Sequence, residues 1–216
     1  MQNNQKNNLK NIAEFIWEMV QTALTVIIVV YLVKTFLFQL FIVDGQSMEP
    51  TLHDKEMLLV DKLSYHFRSP HRGEIIIFQK PGEPSVNFIK RVIGLPGETV
   101  VIKNGKVYIK NSTSANLESI EETYLSPDTP TNGEEEVLVK DNEVFVMGDN
   151  RTNSQDSRVI GSIPYKSILG RALFTYWPIK DATWLITPKY NLSLIFPESY
   201  LQRNPIQSKS FSDIVF

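Results

Sequence analysis

The 216-residue chain contains no cysteine. That absence removes disulfide bridges, thiolate nucleophiles and thiolate metal ligands together. It fits either side of a membrane and so selects no compartment. Histidine is scarce too: His53, His66 and His71 are the only three, and none stands at zinc-ligand spacing with another. No catalytic metal is expected, and no other cofactor. Nor is there an excess of positive charge. The 22 Lys and Arg against 24 Asp and Glu leave a formal charge of -2, so no basic field exists to hold nucleic acid. The remainder, 42% apolar and 21% charged, is an ordinary globular mixture, enough for one substantial domain plus an anchor or tail.

Residues 19–33 form an uncharged run of 15, and after Lys34 the apolar character resumes from Thr35 to Val43. A membrane crossing needs about 20 residues, and Lys34 can extend this one because its long stem can reach the headgroup region. A cleavable secretory signal would require a small-x-small site after the apolar core, which residues 36–47 lack. A buried helix would show a polar stripe, which residues 26–33 lack. The expectation is a transmembrane helix over residues 16–43, after an N-terminal segment 1–15. Lys6 and Lys10 precede it, while Asp44, Glu49, Asp54 and Glu56 follow against Lys55. The positive-inside tendency then places segment 1–15 in the cytosol and everything after Val43 outside.

Beyond the anchor the chain reads as short strands, at 57–60, 74–78, 86–93, 99–102, 107–109, 143–147 and 172–177. Asn104-Gly105 favours a tight hairpin, and Gly94-Leu95-Pro96-Gly97 a stop. No helical period survives outside the anchor, so residues 44–197 are expected to be a mainly β domain. Residues 111–141 hold eight acidic residues and one basic residue, with Pro127 and Pro130. They read as an acidic surface excursion between strands. Residues 198–216 read as a C-terminal tail.

With no thiol and no expected metal, nucleophilic chemistry falls to a hydroxyl with a base beside it. Gly45-Gln46-Ser47-Met48-Glu49-Pro50-Thr51 places a serine between a flexible glycine and a turn-setting proline. Alone, that pattern marks a plain turn as readily as a site. The Ser-x-x-Lys arrangement of penicillin-binding enzymes is excluded, since Pro50 holds the lysine position. In the 86–93 strand, alternation puts Phe88, Lys90 and Val92 on one face and Ile89, Arg91 and Ile93 on the other. One of the two adjacent cations must therefore face the apolar side. An ammonium there loses hydration, and lowering its pKa from about 10.4 to about 7 corresponds to roughly 4.6 kcal/mol. A neutral amine could take a serine proton; a solvent-facing lysine could not. The turn-rich 148–158 segment, with Asp149, Arg151, Ser154, Asp156 and Arg158, can brace a loop by Asp-Arg pairing and offer a hydroxyl to an amine, or can be a solvated loop.

Together these segments closely resemble bacterial type I signal peptidases, also called leader peptidases. The resemblance comprises an apolar N-terminal helix, Gly-x-Ser-Met-x-Pro-Thr at 45–51, Arg-Gly-Glu-Ile-Ile-Ile-Phe at 72–78, Lys-Arg-Val-Ile-Gly-Leu-Pro-Gly-Glu at 90–98 and Gly-Asp-Asn-Arg-x-x-Ser-x-Asp-Ser-Arg at 148–158. It runs from about residue 15 to about 180, and four blocks in one order are highly specific. It implies a β-rich domain at the outer membrane surface that removes signal peptides from secreted precursors, in contact with membrane lipid and near the secretion translocon. It further implies Ser47 as nucleophile, Lys90 as general base, Ser154 as the hydroxyl that orients the amine and Met48 as a shaper of the substrate cleft. Asp149, Arg151, Asp156 and Arg158 take bracing roles. The membrane is a cell membrane, or a thylakoid membrane where the cell has one. Some members carry a serine two residues before the nucleophile that helps bind the oxyanion; Gly45 stands there instead, leaving the second donor unassigned. Two rival readings are a Ser-Lys self-cleaving repressor protease, which would carry a DNA-binding module in place of the apolar anchor, and a catalytically inert, membrane-tethered β domain.

Overall fold

The structure, a computed structural model, describes residues 2–111, 117–127, 129–188, 190 and 192–195. Helix α1 (Gln2–Leu32) opens the chain. Its Lys10–Leu32 portion is the one helix among the described residues long and apolar enough to cross a membrane, and none of it is buried. The helix loosens through a π turn, Val33–Leu37, and passes straight into strand β1 (Phe38–Ile42).

The expected helix over 16–43 is thus corrected at both ends: it begins earlier and stops at Leu32. The physical reason lies in the partner of the second apolar stretch. β1 pairs antiparallel with β2 (Met57–Asp61), from Phe38 opposite Asp61 to Ile42 opposite Met57, while Phe41 and Val43 pack into the protein core. Composition cannot distinguish a lipid-facing turn of helix from an apolar sheet strand.

The remaining strands are, in order, β3 (Ile75–Lys80), β4 (Glu83–Gly94), β5 (Glu98–Lys103), β6 (Lys106–Asn111), β7 (Leu117–Ile120), β8 (Glu135–Leu138), β9 (Glu143–Met147), β10 (Ile163–Pro164), β11 (Ile168–Trp177), β12 (Thr183–Trp184) and β13 (Leu192–Ile195). They form two sheets, one ordered β1-β2-β11-β3-β4-β9-β10 with β12 on β11, the other β13-β7-β6-β5-β8. Asn104-Gly105 makes the β5–β6 turn, with φ of 52° and 74°, the left-handed pair that a two-residue hairpin requires. The protein is mainly β with one N-terminal helix.

Central strands are covered on both faces, which explains their continuous apolar runs. In β3, Ile75 and Ile77 pack with Val43, Met48, Leu58 and Val60, whereas Ile76 and Phe78 pack with Val92, Val144 and Val146. β9 likewise sends Val144 and Val146 one way, and Phe145 and Met147 the other, against the small sheet. The acidic stretch 111–141 also differs from expectation. β7 and β8 belong to the second sheet, and Ile120 and Val139 are buried in its core. A few apolar residues spaced among the acids suffice to give the stretch an inward face. The 198–216 tail lies outside the described residues.

If β1 belongs to the folded domain, a chain beginning at Phe36 should keep its β-sheet circular dichroism and cooperative unfolding. One beginning at Asp44 should not, since it loses Phe41 and Val43 from the core, roughly 2 kcal/mol each, together with one edge of the sheet. Equal thermal midpoints for the two truncations would show that β1 is dispensable.

Candidate active site

Ser47 sits in the connection between β1 and β2. Gly45 has φ of +95°, a conformation that strains any residue with a Cβ, and its N–H donates to Asp54 Oδ1 at 2.7 Å. The turn closes with Glu49 N–H to the Gln46 carbonyl at 3.2 Å and Leu52 N–H to the Met48 carbonyl at 3.0 Å. Two further bonds come from far along the chain. The Asn150 backbone N–H donates to the Ser47 carbonyl at 3.1 Å, and its side-chain amide donates to the Gln46 carbonyl at 3.1 Å. The turn that presents Ser47 sends the next side chain the opposite way. Met48 is therefore buried in one cluster with Leu58 and Ile77, which line the cleft, so it supports the cleft from beneath.

Lys90 lies on β4 opposite Ile76 and is only 4% exposed. Its Nζ is 2.7 Å from Ser47 Oγ, bringing together residues 43 positions apart. The amine donates to the Ile89 carbonyl at 2.7 Å and stands 5.3 Å from the centre of the Phe88 ring. Burial pushes the Lys90 pKa down to about 8, against the opposing pull of Asp156 and Asp149. The direction is the one that an amine on an apolar strand face requires. A neutral amine has two N–H donors and one lone pair, so it can donate to Ile89 while the Ser47 hydroxyl donates to it.

The two carboxylates that hold the amine's pKa up are both engaged by arginines. Asp149 accepts from Arg91 Nε at 2.9 Å and from Nη2 at 2.6 Å; Asp156 accepts from Arg158 Nε at 2.8 Å and from Nη2 at 2.8 Å. Burial works against the Asp156 charge, but the bonds from Arg158 and the Gly148 N–H outweigh it and hold the carboxyl below its usual range. Among the described residues no carboxylate comes within ion-pair distance of Lys90. Arg91 also donates to the Gly73 carbonyl at 2.9 Å and to Thr51 Oγ1 at 3.3 Å, tying β4 to the Ser47 loop. Both adjacent cations are thus buried, because β4 is covered on both faces. Alternation along one strand could not reveal that.

The bracing roles distribute differently from the simple Asp-Arg pairing expected within the 148–158 loop. Only Asp156 and Arg158 pair with each other. Asp149 reaches to β4, and Arg151 reaches to Glu122. Ser154 lies against Gly148, where even one added carbon would collide with the Ser154 side chain and the Ser47 carbonyl. Its hydroxyl is buried and close enough to the Asp156 carboxylate to help hold that charge, while Lys90 Nζ bonds Ser47 and Ile89. Among the described contacts no hydrogen bond joins Ser154 to Lys90, whose amine the resemblance implied it would orient.

A cleft of about 220 Å³ opens at the pair. Phe41, Val43, Leu58, Ile77 and Ile89 give it apolar walls, and Asp44, Asn87 and Gln155 supply polar rims. The β1 wall was hidden from sequence reasoning by its assignment to the membrane helix.

Residues 16–177 match the family described as "Signal peptidase, peptidase S26". The chain is 43% identical over 155 residues to the signal peptidase I of Leptolyngbya laminosa, covering 68% of this chain and 72% of that one. It is 37% identical over 165 residues to a signal peptidase I of Bacillus amyloliquefaciens, covering 72% and 84%. With signal peptidase I S of Bacillus subtilis the identity is 35% over 177 residues, covering 77% and 91%.

A buried, unpaired lysine is a stability liability. The folded pKa of about 8 lies below the ordinary 10.5. Below pH 8 the native state must therefore carry a desolvated ammonium, and stability rises as pH climbs from about 8 to about 10.5. Lys90→Met should raise the thermal midpoint in detergent at pH 7, reflecting a gain in unfolding free energy of at most roughly 3 kcal/mol at about 1.4 kcal/mol per tenfold, with the gain shrinking toward pH 10. A midpoint lowered equally at pH 7 and pH 10 would contradict the desolvation account.

Proposed function

The chain belongs to the signal peptidase, peptidase S26 family, and from that premise we propose a membrane-anchored serine endopeptidase that removes N-terminal signal peptides from secreted precursors, with Ser47 as nucleophile and Lys90 as general base. The observation that carries this reading is the 2.7 Å approach of Lys90 Nζ to Ser47 Oγ at a site where the amine is buried and, among the described residues, has no carboxylate partner.

The chemistry is acyl transfer in two halves. Neutral Lys90 accepts the Ser47 hydroxyl proton as Oγ bonds to the scissile carbonyl carbon. The tetrahedral intermediate expels the amine of the mature protein, which takes that proton from the Lys90 ammonium. Water then gives a proton to Lys90, attacks the acyl-serine and releases the signal-peptide carboxylate, returning Ser47 to its hydroxyl form. The Ser47 N–H is one donor to the oxyanion. The Gly45 N–H is committed to Asp54, so the second donor comes from elsewhere. Ser154, buried against Gly148 beside the Ser47 carbonyl, keeps a positioning role through packing. The small apolar cleft suits the short side chains that the family accepts before the cut.

The N-terminus faces the cytosol and the β domain lies outside, in a cell membrane or a thylakoid membrane, near the translocon that delivers precursors. Two cross-strand rows on the outer face of the large sheet support close lipid contact. Ile42 faces Met57, which faces Trp177; Leu40 faces Leu59, then Phe174, then Trp184. Leu40, Ile42, Trp177 and Trp184 are all exposed, whereas the intervening Leu58 and Val60 point into the core. β1 continues from the anchor, so these rows begin at the membrane side of the domain.

Ser47→Ala and Lys90→Ala should each abolish cleavage of a labelled precursor in detergent and leave the β-sheet circular dichroism unchanged. For the parent, kcat/KM should rise about tenfold per pH unit below about pH 8 and level off above it. Substantial turnover by either variant would overturn the assignment.

A further inference from the structure

The acidic stretch between β7 and β8 reaches the back of the active site. Its Glu122 carboxylate takes two bonds from Arg151, one from Nη1 at 2.8 Å and one from Nη2. Arg151 is fully buried, and its Nη1 also donates to Thr131 Oγ1 at 2.6 Å. Tyr124 OH donates to Glu122 Oε1 at 2.5 Å and accepts from Arg151 Nη2 at 3.2 Å. The ring of the same tyrosine lies under the guanidinium of Arg91, 4.0 Å from its centre. Two neighbouring residues of the stretch thus hold both buried arginines of the site.

Each arginine leads to the nucleophile by a short path. Arg151 Nε donates to the Gly148 carbonyl at 3.2 Å, fixing the loop whose Asn150 N–H holds the Ser47 carbonyl. Arg91 holds Asp149 in that loop and Thr51 in the Ser47 loop, and it is the sequence neighbour of Lys90. We propose that Glu122 and Tyr124 act as a clamp, positioning residues that set the place of Ser47 and the electrostatics of Lys90 through Arg151 and Arg91. The inference rests on the Ser47–Lys90 reading.

The electrostatic consequence has a definite sign. The charges around the Lys90 amine are Asp149 and Asp156 from the loop, both paired with arginines, Arg91 on its own strand, and Asp44 at the cleft rim paired with Lys55. β3 contributes only the apolar Ile76 opposite. Removing the Glu122 charge leaves Arg151 uncompensated in a buried place and free to compete with Arg91 for Asp149. Both effects disfavour the Lys90 ammonium, so the amine should lose its proton at lower pH.

The test uses the full-length protein in detergent with a labelled precursor, comparing Glu122→Gln, Glu122→Asp, Tyr124→Phe and Ser47→Ala. Glu122→Gln should lower kcat by roughly tenfold or more, since small misplacements of reacting groups cost that much, with KM within about twofold. Its acid limb of kcat/KM should move to lower pH. Glu122→Asp, which keeps the charge, should keep the limb near the parental position, and Tyr124→Phe should show a smaller kcat loss. Parental kcat and an unmoved limb in Glu122→Gln overturn the clamp. So does a loss that appears only as a lower thermal midpoint, with kcat per folded molecule and the limb unchanged. Should Glu122→Gln fail to fold, Tyr124→Phe decides by its kcat: a loss at unchanged KM upholds the clamp, and parental kcat overturns it. Turnover by Ser47→Ala would instead refute the nucleophile itself, and the clamp with it.

Discussion

A primary amine held out of water, beside a hydroxyl and without a carboxylate of its own, is the constraint around which the domain is organised. A lysine normally keeps its charge by reaching solvent or an acid. Lys90 has neither, and the cost of desolvating its ammonium brings its pKa to about 8. The same burial that weakens the folded state at neutral pH makes the amine able to accept a proton from Ser47. Stability and chemistry therefore pull on this position in opposite directions.

Keeping the amine unpaired requires that nearby acids be occupied, and the arginines do that. Arg91 and Arg158 take Asp149 and Asp156 in two-bonded pairs, the geometry that suits a guanidinium and not an ammonium. Arg91 also connects β4 to the loop after β9 through Asp149 and to the Ser47 loop through Thr51. Gly148 lets the loops come close enough for Asn150 to hold the Ser47 carbonyl, since any side chain there would strike it. Burying this many charges is tolerable only because each is satisfied by a partner or a backbone carbonyl.

Much of this was legible in the sequence, and the failures have physical causes. The β5–β6 hairpin followed from Asn104-Gly105, whose backbone needs are local. Ser47 and Lys90 could be nominated because a turn and an apolar strand face are also local patterns, although their meeting across 43 residues is a tertiary fact. Strand β1 was misread as membrane helix because Phe41 and Val43 would suit lipid as well as a protein core. Met48 came into view only through the family resemblance, and its place in the core under Leu58 and Ile77 is a tertiary fact. Glu122 was lost among eight acidic residues of its stretch, since nothing in one sequence marks the acid whose partner is buried.

The account stands or falls on the charge state of one side chain. NMR titration of the protein with 13Cε-labelled lysine, with the Lys90 signal assigned by its disappearance in Lys90→Met, reads that state directly. The account predicts a midpoint near pH 8 for this signal, while solvent-exposed lysines titrate near 10.4. A Lys90 midpoint at or above the ordinary lysine value would mean a charged amine throughout the working range, and Lys90 could not then serve as the base.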